Sequence, residues 1–484
     1  MKSMSKPFKP FFLAIVVFVQ ILQFLYNSHA QTVEIRVKID GSRATVEGTI
    51  KDTENRGAVT NFSLADSVAN QTSLSARHRN IQLNDERGAP VPFRTLAPGE
   101  LLADRGFRNF RFETELTPAT PAAMAHVSWI DGDRGMLMTA DLLPSLTFAM
   151  PIDLTLDLPA DWKVVGGSRK MRIDEPSIPV IFIGRNLRET KTAAAAVTLD
   201  GEFRFSDRTA GEMTDEILSQ YGELFGGIGT GVNVFLVRYA PGVRIGRWEA
   251  ETRGATVVIA TADLPISTQS EQRLHEQLRH ELFHLWMPNR LSLTGDYAWF
   301  YEGFALYQSL RTGVALNRIR FDDFLDTLGR AHSADSLIGV RRSMIETSRN
   351  RWAGAGSQIY ARGMLAAFLA DLALLSKSKG KRSLDDVLRR IWLDHSNGRV
   401  PMDGNAAIVA ALNREPELRS VVSRYITGAE SVSWQTELSE AGIESRVENF
   451  ETKLSVTAKP NGRQKTLLDK LGYNNWRNFL KSSK

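Results

Sequence analysis

The sequence predicts a multidomain α+β chain with three parts: an N-terminal β-rich, sandwich-like domain, a mixed region around a histidine-bearing helix, and a helical C-terminal region. Three observations predict it. Apolar and polar residues alternate with a period of two in segments from Val33 to about Phe205. Beyond Glu302 the apolar spacing becomes helical. Between them stands His280-Glu281-Leu282-Phe283-His284, an H-E-x-x-H run. At 484 residues the chain exceeds one ordinary core, so two or three domains are expected.

Residues 1–30 have the pattern of a secretory signal peptide. Lys2, Lys6 and Lys9 precede an apolar run from Phe11 to Tyr26, and Ser28 and Ala30 are the small residues a signal peptidase reads. Cleavage after Ala30 is expected, with an uncleaved N-terminal anchor as the alternative. The mature protein would be exported, to the periplasm or the outside. The absence of cysteine is compatible with that and excludes a disulfide scaffold. Removing three lysines lowers the formal charge from +5 to +2, so nucleic acid is not an implied partner.

In residues 31–205, Val33-Glu34-Ile35-Arg36-Val37, Phe110-Arg111-Phe112-Glu113 and Ile152-Asp153-Leu154-Thr155-Leu156 read as strands. Asp40-Gly41-Ser42 and Asp131-Gly132-Asp133 read as the turns between strands. His78 and His126 are isolated and read as structural.

Residues 206–315 change character. A helix over 210–225 leads to strands over 232–237 and 255–260. A strand beside the histidine helix could pair with a peptide along an exposed edge, although the spacing does not say which strand is the edge. Thr268 and Glu271 have the capping-box spacing for the start of that helix. Leu274, Leu278, Leu282 and Leu285 form its core face, and Pro288 stops it.

Residues four apart share a helix face, so His280 and His284 can hold one ion with Glu281 beside it. A closed structural zinc site often needs cysteine, whereas a catalytic one uses three N/O ligands and keeps an open position. Glu302, in Trp299-Phe300-Tyr301-Glu302-Gly303, is the candidate third ligand. It lies on a helix expected over 299–311 and ending at Gly313, with Gly303 and Ala305 small enough for the two helices to approach. The competing reading is a surface helix with two solvated histidines.

In residues 316–451, helical spacing recurs over 321–328, 359–376, 384–393 and 404–412, with Gly354-Ala355-Gly356-Ser357 as a flexible lead-in. Leu365, Phe368, Leu369 and Leu372 form a core face, and His332 and His395 read as structural. Residues 452–484 hold eight Lys/Arg and one Asp together with Trp476, Phe479 and Leu480. This basic tail suits either weak contact with an anionic membrane surface or a solvated terminus.

These residues carry a resemblance. His280-Glu281-Leu282-Phe283-His284-Leu285-Trp286, with Arg290-Leu291 after it, resembles the zinc helix of the glycyl aminopeptidase type of gluzincin metallopeptidase. Trp299-Phe300-Tyr301-Glu302-Gly303-Phe304 resembles its third-ligand motif. Tyr360-Ala361-Arg362-Gly363 and Ser383-Leu384-Asp385-Asp386-Val387 resemble the segments that follow. With the β-rich N-terminal domain, the resemblance spans most of the chain after residue 30.

It implies that 206–315 is a thermolysin-like zinc metallopeptidase domain whose cleft 316–451 completes. It also implies that one Zn2+ sits on His280, His284 and Glu302, that Glu281 is the general base, and that Tyr360 donates to the oxyanion. The family's Gly-Gly-Leu-Glu-His strand is matched by Gly246-Arg247-Trp248-Glu249-Ala250, where Glu249 would bind a substrate's α-amino group and Arg247 and Trp248 add charge and bulk. Two further departures stand out. Only 17 residues separate His284 from Glu302, and the basic tail is too short for the family's C-terminal PDZ domain.

The expected function is an exported zinc metallopeptidase, aminopeptidase-like, acting on a peptide or protein substrate. The alternatives are a non-catalytic envelope binding protein with the same fold and a zinc hydrolase of non-peptide substrates.

Overall fold

The computed structural model describes residues 32–475 apart from 52–57, 70, 119, 148, 176–177, 228–230, 397 and 399. The expected leader, and Trp476, Phe479 and Leu480 of the tail, lie outside the described residues. The chain is multidomain, β-rich at its N-terminal end and helical at its C-terminal end. It divides into two compact units between Asn186 and Leu187.

In the first unit the strands Thr32–Asp40 (β1), Arg43–Lys51 (β2), His78–Asn84 (β3), Asn109–Glu115 (β4), Ile152–Asp157 (β5) and Lys170–Ile173 (β6) form one sheet. Its order is β6-β5-β1-β2-β4-β3. The period-two pattern appears directly in burial: Val33, Ile35, Val37 and Ile39 face the core while Glu34, Arg36 and Lys38 face out. Two four-stranded sheets complete the sandwich-like unit. Phe62 and Leu101 from one, and Leu137, Ile181 and Ile183 from the other, join β1 in a common core.

The second unit is built on a five-stranded sheet of Arg188–Lys191 (β7), Ala195–Asp200 (β8), Val232–Arg238 (β9), Trp248–Arg253 (β10) and Thr256–Thr261 (β11), in the order β7-β8-β9-β11-β10. This moves the boundary from the expected 205 to 186/187. β8 pairs in parallel with β9 and so belongs to the second sheet, although its alternation continues the first domain's pattern. β7 and β10 are the two edge strands of the five-stranded sheet.

The helix Asp207–Phe225 (α1) is capped by the Ser206 hydroxyl, which accepts from Thr209 N–H. The helices that follow include Ser267–His284 (α2), Ala298–Ala315 (α3), Phe321–Ser336 (α4), Gly356–Ser378 (α5), Leu384–His395 (α6) and Gly404–Asn413 (α7). α5 is apolar along its length because it is the buried centre of the helical layer.

Four expectations fail here, each because tertiary contact outweighs a local signal. α2 starts one residue before Thr268 and has no side-chain cap. The hydroxyl that serves this end is instead Ser270, which accepts from Leu264 N–H at 2.9 Å. Gly313 does not end α3 but lies inside it, where a Cβ would stand 3.0 Å from the Arg279 guanidinium carbon. Gly303 opens the contact between α3 and α5, not that between α3 and α2: a Cβ there would meet Gly363 Cα at 2.4 Å. The segment after 452 is not simply a tail. Ile443–Glu448 (β12) and Glu451–Val456 (β13) form a hairpin, and Gly462–Leu471 (α8) follows, burying Leu454, Leu467, Leu468 and Leu471 in the core.

Candidate metal centre and active site

The leucine face of α2 decides where its histidines point. Leu274, Leu278, Leu282 and Leu285 are fully buried in the core, which leaves His280 and His284 on the adjoining stripe facing α3. The start of α3 is pinned from two sides. Trp299 N–H donates to Ser348 Oγ at 2.9 Å, and the Trp299 indole N–H donates to Asn405 Oδ1 at 2.9 Å. Glu302 is therefore delivered to the histidines by a rigid helix end.

His280 Nε2 lies 3.2 Å from His284 Nε2 and 3.2 Å from Glu302 Oε2, and His284 Nε2 lies 3.7 Å from the same oxygen. Three ligands at the usual zinc–nitrogen and zinc–oxygen distances of about 2.0–2.2 Å, spread tetrahedrally, are separated by roughly 3.3–3.6 Å. The donor set therefore fits a single divalent ion with one position left open. His284 Nδ1 donates to the Met287 carbonyl at 3.0 Å, which fixes the tautomer and turns Nε2 to the site. Glu281 also falls within a looser ligand range. Its nearest oxygen is 4.0 Å from His280 Nε2, farther than that of Glu302 at 3.2 Å, so Glu302 is the better-placed candidate for a third ligand.

The field at this point favours positive charge. Burial opposes ionisation of His284, yet the hydrogen bond and charge of Glu302, with Glu281 behind it, raise the imidazole to about 9. Burial likewise opposes the charge on Glu302, but His280, His284 and Arg351 together hold its carboxyl well below the usual range.

Two residues that sequence reasoning missed complete the site. The Thr252 hydroxyl stands 2.7 Å from Glu281 Oε2 and steadies the carboxylate. Only the resemblance marks the start of β10 as a strand, and periodicity does not reach Thr252, because Trp248-Glu249-Ala250-Glu251-Thr252-Arg253 has charge where strands usually have apolar alternation, as edge strands do. The second is Arg351, whose Nη2 donates to Glu302 Oε1 at 2.7 Å and to the Tyr360 hydroxyl oxygen at 3.1 Å, while Nη1 donates to the Tyr301 hydroxyl at 3.1 Å. No local pattern marks Arg351, which opens a single 3-10 turn and is one of four arginines between residues 341 and 351. Through it Tyr360 is tied to Glu302. Burial, and then the negative charge of Glu302, hold the Tyr360 hydroxyl above its ordinary pKa, so it stays protonated and able to donate.

β10 leaves one backbone edge open. Arg247 C=O accepts from Ala262 N–H at 2.8 Å, on the β11 side, whereas Thr252 C=O accepts from the Asn289 side chain at 3.2 Å, away from it. Alternation then directs the backbone groups of Trp248 and Ala250 to the free edge. Arg247, Trp248 and Glu249 do not join the metal centre. They sit around the start of β10 in a cavity of about 460 Å³, and Arg247 Nη2 lies 2.7 Å from Glu249 Oε1.

No protein-family model matches the chain, and no curated protein matches its sequence. Solved structures do. An aminopeptidase N family protein from Idiomarina loihiensis superposes with a TM-score of 0.75 at 16% identity, covering 86% of this chain and 79% of that one. Native yeast LTA4 hydrolase superposes with a TM-score of 0.50 at 13% identity, covering 90% of this chain and 70% of that one. The two-unit architecture that carries this centre is thus the fold seen in the Idiomarina aminopeptidase N family protein.

Proposed function

We propose that the chain is an exported zinc-dependent peptidase of the gluzincin type, akin to the glycyl aminopeptidases, that removes residues from peptide N-termini. One observation carries this reading: His280, His284 and Glu302 converge at ligand spacing with Glu281 held beside them by Thr252. The basic start and apolar run of residues 1–30 support export.

A zinc ion held by His280, His284 and Glu302 supplies Lewis acidity and a water acidified to a pKa of about 7. The other roles belong to the chain. The peptide pairs with the free edge of β10, and the backbone groups of Trp248 and Ala250 align it past Glu281. Glu281 takes the proton of the attacking water and returns it to the leaving amine. The Tyr360 hydroxyl, oriented by Arg351, donates to the carbonyl oxygen as charge develops, a contribution of about 2.7–4 kcal/mol for one such donor. Glu249, on the same strand, binds the substrate's α-amino group.

A mixed set of peptides, with free and acetylated amines, incubated with the zinc-loaded protein tests this. Loss of single residues from free amines alone is the expected result. Internal cuts in both sets would make it an endopeptidase. A specific observation favours a second reading, a binding protein without turnover: Arg247 already occupies Glu249. Intact peptides in the presence of bound zinc would establish that reading.

A further inference from the structure

We propose that Trp352 is a specificity-determining residue: its exposed indole receives a bulky apolar or aromatic side chain on the residue just after the cleaved bond. This rests on the peptidase reading, which supplies the bond and the direction of the substrate.

Trp129, Trp286, Trp299 and Trp434 are fully buried, whereas Trp352 is 60% exposed. It stands in the short turn Arg351–Ala353, followed by Gly354 at φ +92°, and takes no part in the core of the second unit. One face of the indole is covered, by the Arg351 guanidinium carbon 4.6 Å from the ring centre. The same carbon lies 5.9 Å from the centre of the Tyr301 ring. Tyr301 in turn meets the ring of the metal-ligand candidate His284, edge to face, with centres 6.2 Å apart. A row of rings and one guanidinium thus leads from the metal centre to solvent and ends on Trp352.

The distances put the end of that row beside the reacting bond. Arg351 Nη2 is 3.1 Å from the Tyr360 hydroxyl, so the Trp352 ring centre lies within about 9 Å of that hydroxyl. A carbonyl oxygen accepting from the hydroxyl stands about 2.7–2.8 Å from it. Aromatic rings pack with centres about 4.5–7 Å apart, so a side chain one residue from that carbonyl is in range of the indole. The charge of Arg351 is already matched by Glu302 at 2.7 Å. What the surface offers a ligand is therefore an apolar, polarisable face rather than a free cation, and the chemistry it selects is a large hydrophobic side chain.

The order of contacts gives the side of the bond. Glu249 leads along β10 to Thr252 and from there to Glu281, while Glu302 leads through Arg351 to Trp352. With the α-amino group on Glu249, the residue before the bond spans from that carboxylate to the metal. The residue after it departs on the side of Glu302 and Arg351.

The test is a set of free-amine peptides with a constant first residue and Ala, Asp, Leu or Phe after the cleaved bond. A second set varies the residue before the bond instead. The expected result is kcat/KM higher for Phe than for Ala after the bond by on the order of ten-fold, with no gain for Asp. The Phe-to-Ala ratio should fall towards one in Trp352→Ala and survive in Trp352→Phe. A merely structural role, shielding Arg351, would lower every peptide by one factor and leave the ratio unchanged. That outcome, a ratio of one in the parent protein, or a preference confined to the residue before the bond would overturn the assignment.

Binding is measured separately, as fluorescence anisotropy of C-terminally labelled peptides on the zinc-loaded Glu281→Gln chain. A Trp352-dependent preference for Phe there, without cleavage by the parent protein, would sink the peptidase reading and leave the apolar subsite standing. Cleavage without a preference for Phe would do the reverse.

Discussion

Arg351 donates to Glu302 at 2.7 Å with the same nitrogen that reaches the Tyr360 hydroxyl at 3.1 Å, so one guanidinium links the metal-ligand candidate to the candidate oxyanion donor. Arg351 is half-buried, its face covered by the exposed Trp352 ring 4.6 Å away. Partners of this kind, outside the ligand set, typically change metal affinity by about 10–100-fold. Arg351→Ala is expected to weaken zinc binding by that order and lower turnover, with Arg351→Lys intermediate because one ammonium replaces Nη2 but not Nη1, which holds the Tyr301 hydroxyl. Competition with a chromophoric chelator reads the affinity. An unchanged value would remove Arg351 from the site.

Glu281→Gln keeps the shape of the side chain and removes the proposed base. Peptide hydrolysis should drop by roughly 10²–10⁴-fold while zinc binding is retained. Thr252→Val, which removes the hydroxyl 2.7 Å from Glu281 Oε2, should give a smaller loss seen in kcat more than KM. Equal loss of zinc and activity in Glu281→Gln would instead make Glu281 a ligand.

Two glycines should respond in opposite directions. Gly303→Ala places a Cβ 2.4 Å from Gly363 Cα, backbone that cannot move without separating α3 from α5. A loss of about 1–3 kcal/mol or more is expected, with disturbed zinc affinity because Glu302 is the next residue. Gly222 lies inside α1 with nothing within 4 Å of the point a Cβ would occupy, and Gly222→Ala should stabilise by about 0.5–1 kcal/mol. Denaturant midpoints decide both.

His78 gives the first unit a pH dependence. Burial, and then the nearby Arg77 charge, lower its imidazole from 6.5 to about 4. Its Nδ1 meets the Thr114 hydroxyl at 2.9 Å, while Nε2 is buried without a hydrogen-bond partner among the described residues. The unfolded chain therefore binds a proton that the folded chain refuses between those values. Stability contributed by the neutral ring is complete above pH 6.5 and is lost as pH falls towards 4, by about 3 kcal/mol. Urea midpoints across pH 4–7 should fall on the acid side, and His78→Leu should flatten the slope.

What is periodic or contiguous was legible in the amino-acid sequence alone. The alternation of β1, β4 and β5, the leucine stripe of α2, the H-E-x-x-H run and Glu302 on the next helix are all local patterns, and burial follows them. Those patterns were sufficient to assign the multidomain α+β class and the metal-ligand candidates, because a helix or strand converts spacing into a shared face.

Contacts between distant segments had to come from the folded chain. Arg351 reaches Glu302 across 49 positions and Thr252 reaches Glu281 across 29, distances over which no periodicity carries information. Edge position belongs to a sheet rather than a strand, so that β10 is an edge follows only from its pairing with β11 on one side alone. Gly303 and Gly313 are small for neighbours that lie far away in sequence, Gly363 and Arg279. Spacing determines which side chains share a face, and packing decides what that face meets.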